Sequence, residues 1–407
     1  MIHVAMVCAI LMGAGQEVKD VAASYRVAGL EDRRFNHTTL WQVLEPLVES
    51  TAIGVEQIGR SIQGREIRAL HFGQGSTRVL LWSQMHGDES TATMALVDIT
   101  RFLVEAEGDP LRERLGRELT ITMVPMLNPD GAERFTRRNA IGVDINRDAR
   151  QQATPEGRAL KTLRDRIEPQ FGFNLHDQEA RKLAGESGEQ VAIALLAPAA
   201  DEARTYGEVR SRARLVAATI VSALEGDIAG HIAKYDDGFT PRAFGDLMQS
   251  WGTSTVLIES GAIRGDIQKQ ELRRLNVIGI LEALDAIATG SYRDADPALY
   301  EGLPENDRID HDIILRGGKV VLGDGPPFEV DVGLWFEDPV ARDGARLGAV
   351  GDLADAGAIE AIDASGLVVH VETFGDDPDR LQHDEPVFIE VLRPDGTVAH
   401  SFGTKPR

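Results

Sequence analysis

Two histidines and two glutamates stand where short apolar runs of this chain stop. "QMHGDES" (84–90) carries His86 and Glu89, "FNLHDQ" (173–178) carries His176, and "LIESG" (257–261) carries Glu259. Imidazole nitrogen and carboxylate oxygen are donors that zinc accepts, and a catalytic zinc takes three protein ligands and keeps one position open for water. His86 and Glu89 are three residues apart, so one turn aims both at one point. His176 arrives from elsewhere and closes the set. We read His86, Glu89 and His176 as ligands of one zinc ion per chain, and Glu259 as the base beside its water. The HxxE spacing alone is a weak signal, because a surface turn that caps a helix has the same spelling. Here it follows a buried strand and opens a helix. His176 lies between polar neighbours, which favours a cleft over the core. Glu259 ends the run "TVLIE", and a carboxylate there is either ion-paired or functional.

A second segment, "RRNAIGVDINRD" (137–148), adds guanidinium groups. Asn146 and Arg147 offer an amide beside a planar fork, which suits bidentate capture of a carboxylate. Arg137 places a second guanidinium where it could stabilise an oxyanion. Arg138 competes for that role, and counting back from Gly142 favours Arg137. Asp144 reads as a structural acceptor.

These residues need elements to hold them. Residues 17–50 read as a polar entry with an amphipathic helix near 38–50. Strands are predicted at 76–84, 118–131 (ending in a turn), 171–176 and 254–260. Helices are predicted at 89–108, 154–169, 203–226 and 267–290, with Thr154 as N-cap and Pro155 at the first helical position of the second. Strands alternate with helices over about 76–290. This is the pattern of an α/β fold, with a mixed, largely parallel central sheet and helices on both faces. Ligands of such sheets bind outside the carboxyl ends of the strands, where His86, His176 and Glu259 all fall. A polar, Pro-bearing stretch, 293–308, reads as a linker. Short β-type runs between Gly, Pro and Asp turns make 309–407 a small all-β domain.

The formal net charge is −22, from 65 acidic and 43 basic residues. A field of that sign repels nucleic acid and anionic membranes. The single cysteine, Cys8, excludes an intrachain disulfide and a thiolate zinc site. "MIHVAMVCAILMGAG" is apolar and ends in small residues, so 1–16 is expected to be a signal peptide and the protein periplasmic or secreted. Its lack of Lys or Arg leaves a cytoplasmic protein with a mispredicted start, or a buried strand, as the alternative. No other run is apolar enough to span a bilayer.

"HGDE", the arginine before "GVDINR", "NLH" and "TVLIES" stand in the order of the M14-type zinc carboxypeptidases (the carboxypeptidase A-like or funnelin fold), which the chain resembles over about residues 50–290. The specificity is in the ordered set. The resemblance implies a catalytic domain over 17–292 and zinc on His86, Glu89 and His176. It implies Arg137 as carbonyl polariser, Asn146 and Arg147 as clamp for the substrate's terminal carboxylate, and Glu259 as general base and acid. Tyr235, in "KYDDGF", is the candidate for the family's substrate-capping tyrosine. Asp148–Ala149 departs from the usual Asn and aromatic after "NR", which bears on substrate identity more than on the metal. The implied substrate is a peptide. N-acyl amino acids, as in the succinylglutamate desuccinylases and aspartoacylases, or cell-wall peptides are the alternatives on this ligand pattern. A non-catalytic binding module is the alternative of another class. Finally, "DIILRGGKVVLGDGPPFEVDVGL" with "AVGDLADAGAIEAIDASGLVV" resembles the strand-rich opening segment of amidohydrolases. That implies a β-sandwich-like accessory domain at 309–407. With His370 alone in "VVHVETF" it would have no metal pair of its own, leaving His311 and His370 structural or at the surface.

Overall fold

The computed structural model describes residues 17–322, 325–374 and 380–405. The expected signal segment, with Cys8, lies outside the described residues. Two compact units are present, both discontinuous in sequence. The first comprises 1–178, 192–261 and 268–305, and the second 179–191, 262–267 and 306–407.

In the first unit the Val-, Leu- and Ile-rich runs become central strands, buried along nearly their whole length. An eight-stranded sheet runs in the order Gly54–Arg60, Glu66–Phe72, Leu119–Val124, Thr77–Ser83, Phe171–Asp177, Ser254–Ser260, Ile193–Leu196, Ile232–Lys234. The four middle strands are parallel. Antiparallel pairing flanks them on both sides. The expected mixed, largely parallel sheet is therefore present, and continuous apolar runs are what such a doubly covered sheet requires. Leu80, Trp82 and Val124 meet the helices Pro155–Ile167 and Phe244–Ser250 on one face. On the other, Thr91–Glu105 and Glu208–Ile228 pack against the sheet and Gln270–Thr289 packs on both. The Thr154 side chain caps Pro155–Ile167 by accepting from Gly157 N, with Pro155 opening the first turn.

The stretch 293–308, expected as a linker, is largely built into structure. Ser291–Asp294 and Ala298–Glu301 are short helices whose Tyr292 and Tyr300 are buried. The Tyr300 hydroxyl accepts from Ala197 N at 3.0 Å. Its polar composition hid one aromatic anchor, Tyr300.

The second unit is a seven-stranded sheet with its own core, including Ile313, Leu315, Val320, Leu334, Phe336, Val369 and Ile389. Its strands form one hydrogen-bonded sheet, and the all-β region expected from the sequence is present. His311–Leu322 pairs in parallel with Ala358–Asp363 along its first half and with Val368–Thr373 along its second. The switch of partner falls at a register shift between Leu315 and Gly318. Lys182–Ala184 pairs with Asn306–Arg308 in the same unit. The His311 ring is buried where side chains at Gly333 and Gly348 would otherwise sit, 2.8 and 2.7 Å from ideal Cβ positions. It is a structural residue. His370 is exposed.

Candidate metal centre and active site

The strand Thr77–Ser83 delivers His86 through a tight loop. Gln84 takes a left-handed φ of 49°, and its amide donates to Gly87 O at 2.9 Å. Gly87 passes so close to the helix Pro129–Arg134 that a Cβ would lie 2.0 Å from the Gly131 carbonyl carbon. Glu89 follows just before the helix Thr91–Glu105. His176 stands near the end of its strand, and the parallel register sets it directly beside Glu259. Three strand ends thus converge.

The donor atoms meet closely. His86 Nδ1 lies 2.7 Å from Glu89 Oε1 and His176 Nδ1 2.6 Å from Glu89 Oε2. The two Nδ1 atoms are 3.2 Å apart. All three residues are buried, and their ligand atoms lie within 4.8 Å of one another. Two imidazole nitrogens facing each other across a carboxylate share one natural partner, a cation. Two histidines and a glutamate are a catalytic zinc set, so the residues present fit that metal. His86 Nε2 donates to Asp144 Oδ1 at 3.0 Å. That bond fixes the tautomer and leaves the Nδ1 lone pair toward the ligand point.

Asp144 Oδ2 also accepts from Arg137 Nε and Nη2 at 3.2 and 3.0 Å. Arg137 Nη1 comes within 3.2 Å of Glu89 Oε1 and 3.1 Å of His86 Nδ1. Arg138 instead donates to Gly142 O. Asn146 Oδ1 accepts from Phe244 N at 2.9 Å, and its amide nitrogen lies 3.5 Å from His176 Nε2. Arg147 is exposed, and its Nη1 donates to its neighbour's carbonyl, Asn146 O, at 2.9 Å. Tyr235 is half-buried and lies within electrostatic range of Glu259, Glu89, Arg137 and Arg147. His86, Glu89, His176, Arg137 and Asn146 come together in the first unit, with Tyr235 and Arg147 within electrostatic range. Asp148 does not enter this group. Its carboxylate accepts from Ala153 N, Thr154 N and Thr154 Oγ1, pinning the start of a helix.

Burial resists charge on His86, but Glu89 and Asp144 outweigh it and hold the imidazole at about 9. Burial also opposes the Glu89 anion, and the two histidines hold it well below the usual carboxylate range. Glu259 goes the other way. Burial, then the Glu89 charge, raises its carboxyl well above the ordinary value. Among the described residues it makes no side-chain hydrogen bond or ion pair, and it is 8% exposed. The Glu259 charge, then burial, keeps the Tyr235 phenol protonated far above its usual range.

Sequence reasoning missed Thr91, Asp177 and Lys269. Asp177 Oδ2 accepts from Lys269 Nζ at 2.9 Å and from Thr91 Oγ1 at 2.6 Å. Nothing in "IQKQEL" marks Lys269, because its partner lies far away in the chain.

Residues 44–192 match the family model for zinc carboxypeptidase, peptidase M14. An uncharacterized protein of Zymomonas mobilis is 26% identical over 134 residues, which is 32% of this chain and 35% of that protein. The match thus spans about a third of that relative. A metallo-carboxypeptidase from Burkholderia cenocepacia superposes with a TM-score of 0.50 at 17% identity, covering 62% of this chain and 70% of that one. Bovine thrombin-activatable fibrinolysis inhibitor, solved with tick carboxypeptidase inhibitor, gives 0.51 at 14% identity, covering 64% and 98%. At these identities the structures establish a shared fold. Over the matched region the chain is similar to zinc carboxypeptidases of the M14 type, and its fold is shared with solved metallo-carboxypeptidases. The family match supports a zinc peptidase.

Proposed function

We propose that this protein is a zinc-dependent carboxypeptidase that cleaves a peptide or amide bond next to a free C-terminal carboxylate. The observation that carries the reading is Glu259. It is a buried, unpaired carboxylate with a raised pKa, set in register beside a histidine of the metal-type triad. A zinc ion held by His86, Glu89 and His176 would polarise the scissile carbonyl and lower the pKa of water toward neutrality. Glu259 accepts the water proton and passes it to the leaving nitrogen. A carboxyl whose pKa is raised by burial and by the Glu89 charge suits both halves of that transfer. Arg137, its guanidinium steadied by Asp144, points N–H donors to where the oxyanion develops. Arg147 with the Asn146 amide takes the substrate carboxylate, so that binding energy serves orientation. Tyr235, kept as a neutral phenol, caps the bound substrate as a hydrogen-bond donor.

Glu259→Gln tests the assignment. The variant should keep its zinc and lose about 10²–10⁴-fold in kcat. Hydrolysis at the wild-type rate would remove Glu259 as the base. A panel of peptides, their C-terminal amides, N-acyl amino acids and muropeptides tests the substrate. Free-acid peptides should be cleaved and their amides spared. Cleavage confined to N-acyl amino acids would instead make it a deacylase, and cleavage confined to muropeptides a cell-wall amidase.

A further inference from the structure

Lys269 stands where a lysine is costly. Its side chain is 5% exposed. It takes a left-handed φ of 53° at the N-cap of Gln270–Thr289, a conformation disfavoured for side-chain-bearing residues. It also puts a cation at a helix N-terminus, the end that favours anions. Such costs persist where the surroundings impose them, and they cluster at functional sites.

Its ammonium bonds two of the segments that bring the site together and reaches the third through Asp177. It donates to Asp177 Oδ2 at 2.9 Å and reaches Ser260 O at 3.5 Å. Ser260 follows Glu259, and Asp177 follows His176. Thr91 Oγ1, two residues after Glu89, donates to the same carboxylate oxygen. The backbone N–H of Asp177 in turn donates to Glu89 Oε2 at 3.2 Å, the oxygen that His176 Nδ1 meets. We propose that Lys269, through Asp177 and Thr91, braces the Glu89 carboxylate and so sets the geometry of the metal centre. Lys269 is a positioning residue. It also supplies the counter-charge without which Asp177 would be a buried anion beside the anionic ligand Glu89. The proposal rests on the zinc-hydrolase reading above.

The test uses the full-length protein, with zinc affinity measured by chelator competition and the visible spectrum of the cobalt-substituted form. Lys269→Met should bind zinc about 10–100-fold more weakly, the range for losing an outer partner of a ligand, and should shift the cobalt spectrum. Lys269→Arg, which keeps the charge, should recover part of the affinity. Thr91→Val removes one hydroxyl at nearly constant volume and should weaken zinc several-fold. It decides the matter if Lys269→Met fails to fold. Variants with wild-type affinity and spectrum, in a protein whose wild type binds zinc and hydrolyses peptides, would overturn the brace alone. A wild type that takes up no zinc would overturn the zinc-hydrolase reading first.

Discussion

His86 must give up a proton before its Nδ1 can hold a cation. Glu89 and Asp144 keep that proton on up to about pH 9, whereas burial holds His176 below its ordinary value, already neutral at pH 7. Metal uptake at pH 7 should therefore release about one proton, because ligands bind deprotonated. The sign follows. Apparent zinc affinity should rise with pH, by up to about tenfold per unit, and level off above about 9. Calorimetry in buffers of different ionisation enthalpy measures the proton count. A count of zero would mean that His86 does not bind the metal through a displaced proton. Glu259 shows how one carboxylate's environment separates it from another. Ringed by histidines, Glu89 is driven to its anion, while Glu259, buried beside that anion, is driven toward its acid.

At the scale of elements, the site depends on loops that have no slack. The turn carrying His86 and Glu89 fits against the start of the helix Pro129–Arg134 only because Gly87 lacks a side chain. Gly87→Ala would force two backbones apart, and overpacking of this kind costs about 1–3 kcal/mol. The strain would fall on the segment that holds two ligands. The variant should lower both the unfolding free energy in urea and the zinc affinity. Unchanged values would show that the turn moves freely. The strand ends themselves need no such device. Parallel register sets His176 beside Glu259, as Asn174 is set beside Leu257.

At the scale of the molecule, the second unit is not simply residues 309–407. It takes in 179–191 and 262–267, the segments that follow the strands bearing His176 and Glu259. Arg181 donates to Asp312 Oδ2 at 3.0 Å and to Phe336 O at 3.3 Å. Asp312 is 5% exposed, so losing Arg181 leaves a charge with much of its solvation unreplaced. Arg181→Ala should cost about 1–3 kcal/mol, seen as faster hydrogen exchange in His311–Leu322. Exchange at the wild-type rate would mean that the Phe336 N–H alone satisfies Asp312. Among the described residues no helix is long and apolar enough to cross a membrane.

Local spacing and apolar runs sufficed to place the central strands, the main helices, and His86, Glu89, His176 and Glu259 at the strand ends. Each of these rests on a period or a stop signal that neighbouring residues carry. The strands Gly54–Arg60 and Glu66–Phe72, on one side of the sheet, escaped, since "GVEQIGR" and "EIRALHF" are too polar to stand out without their partners. Tyr300, hidden in the expected linker, escaped for the same reason. Only the tertiary structure could join Lys269 to Asp177, 92 residues away, or return 179–191 to a sheet formed by the end of the chain. A pairing across that distance is set by which surfaces the folded strands leave facing each other, and no stretch of sequence records it.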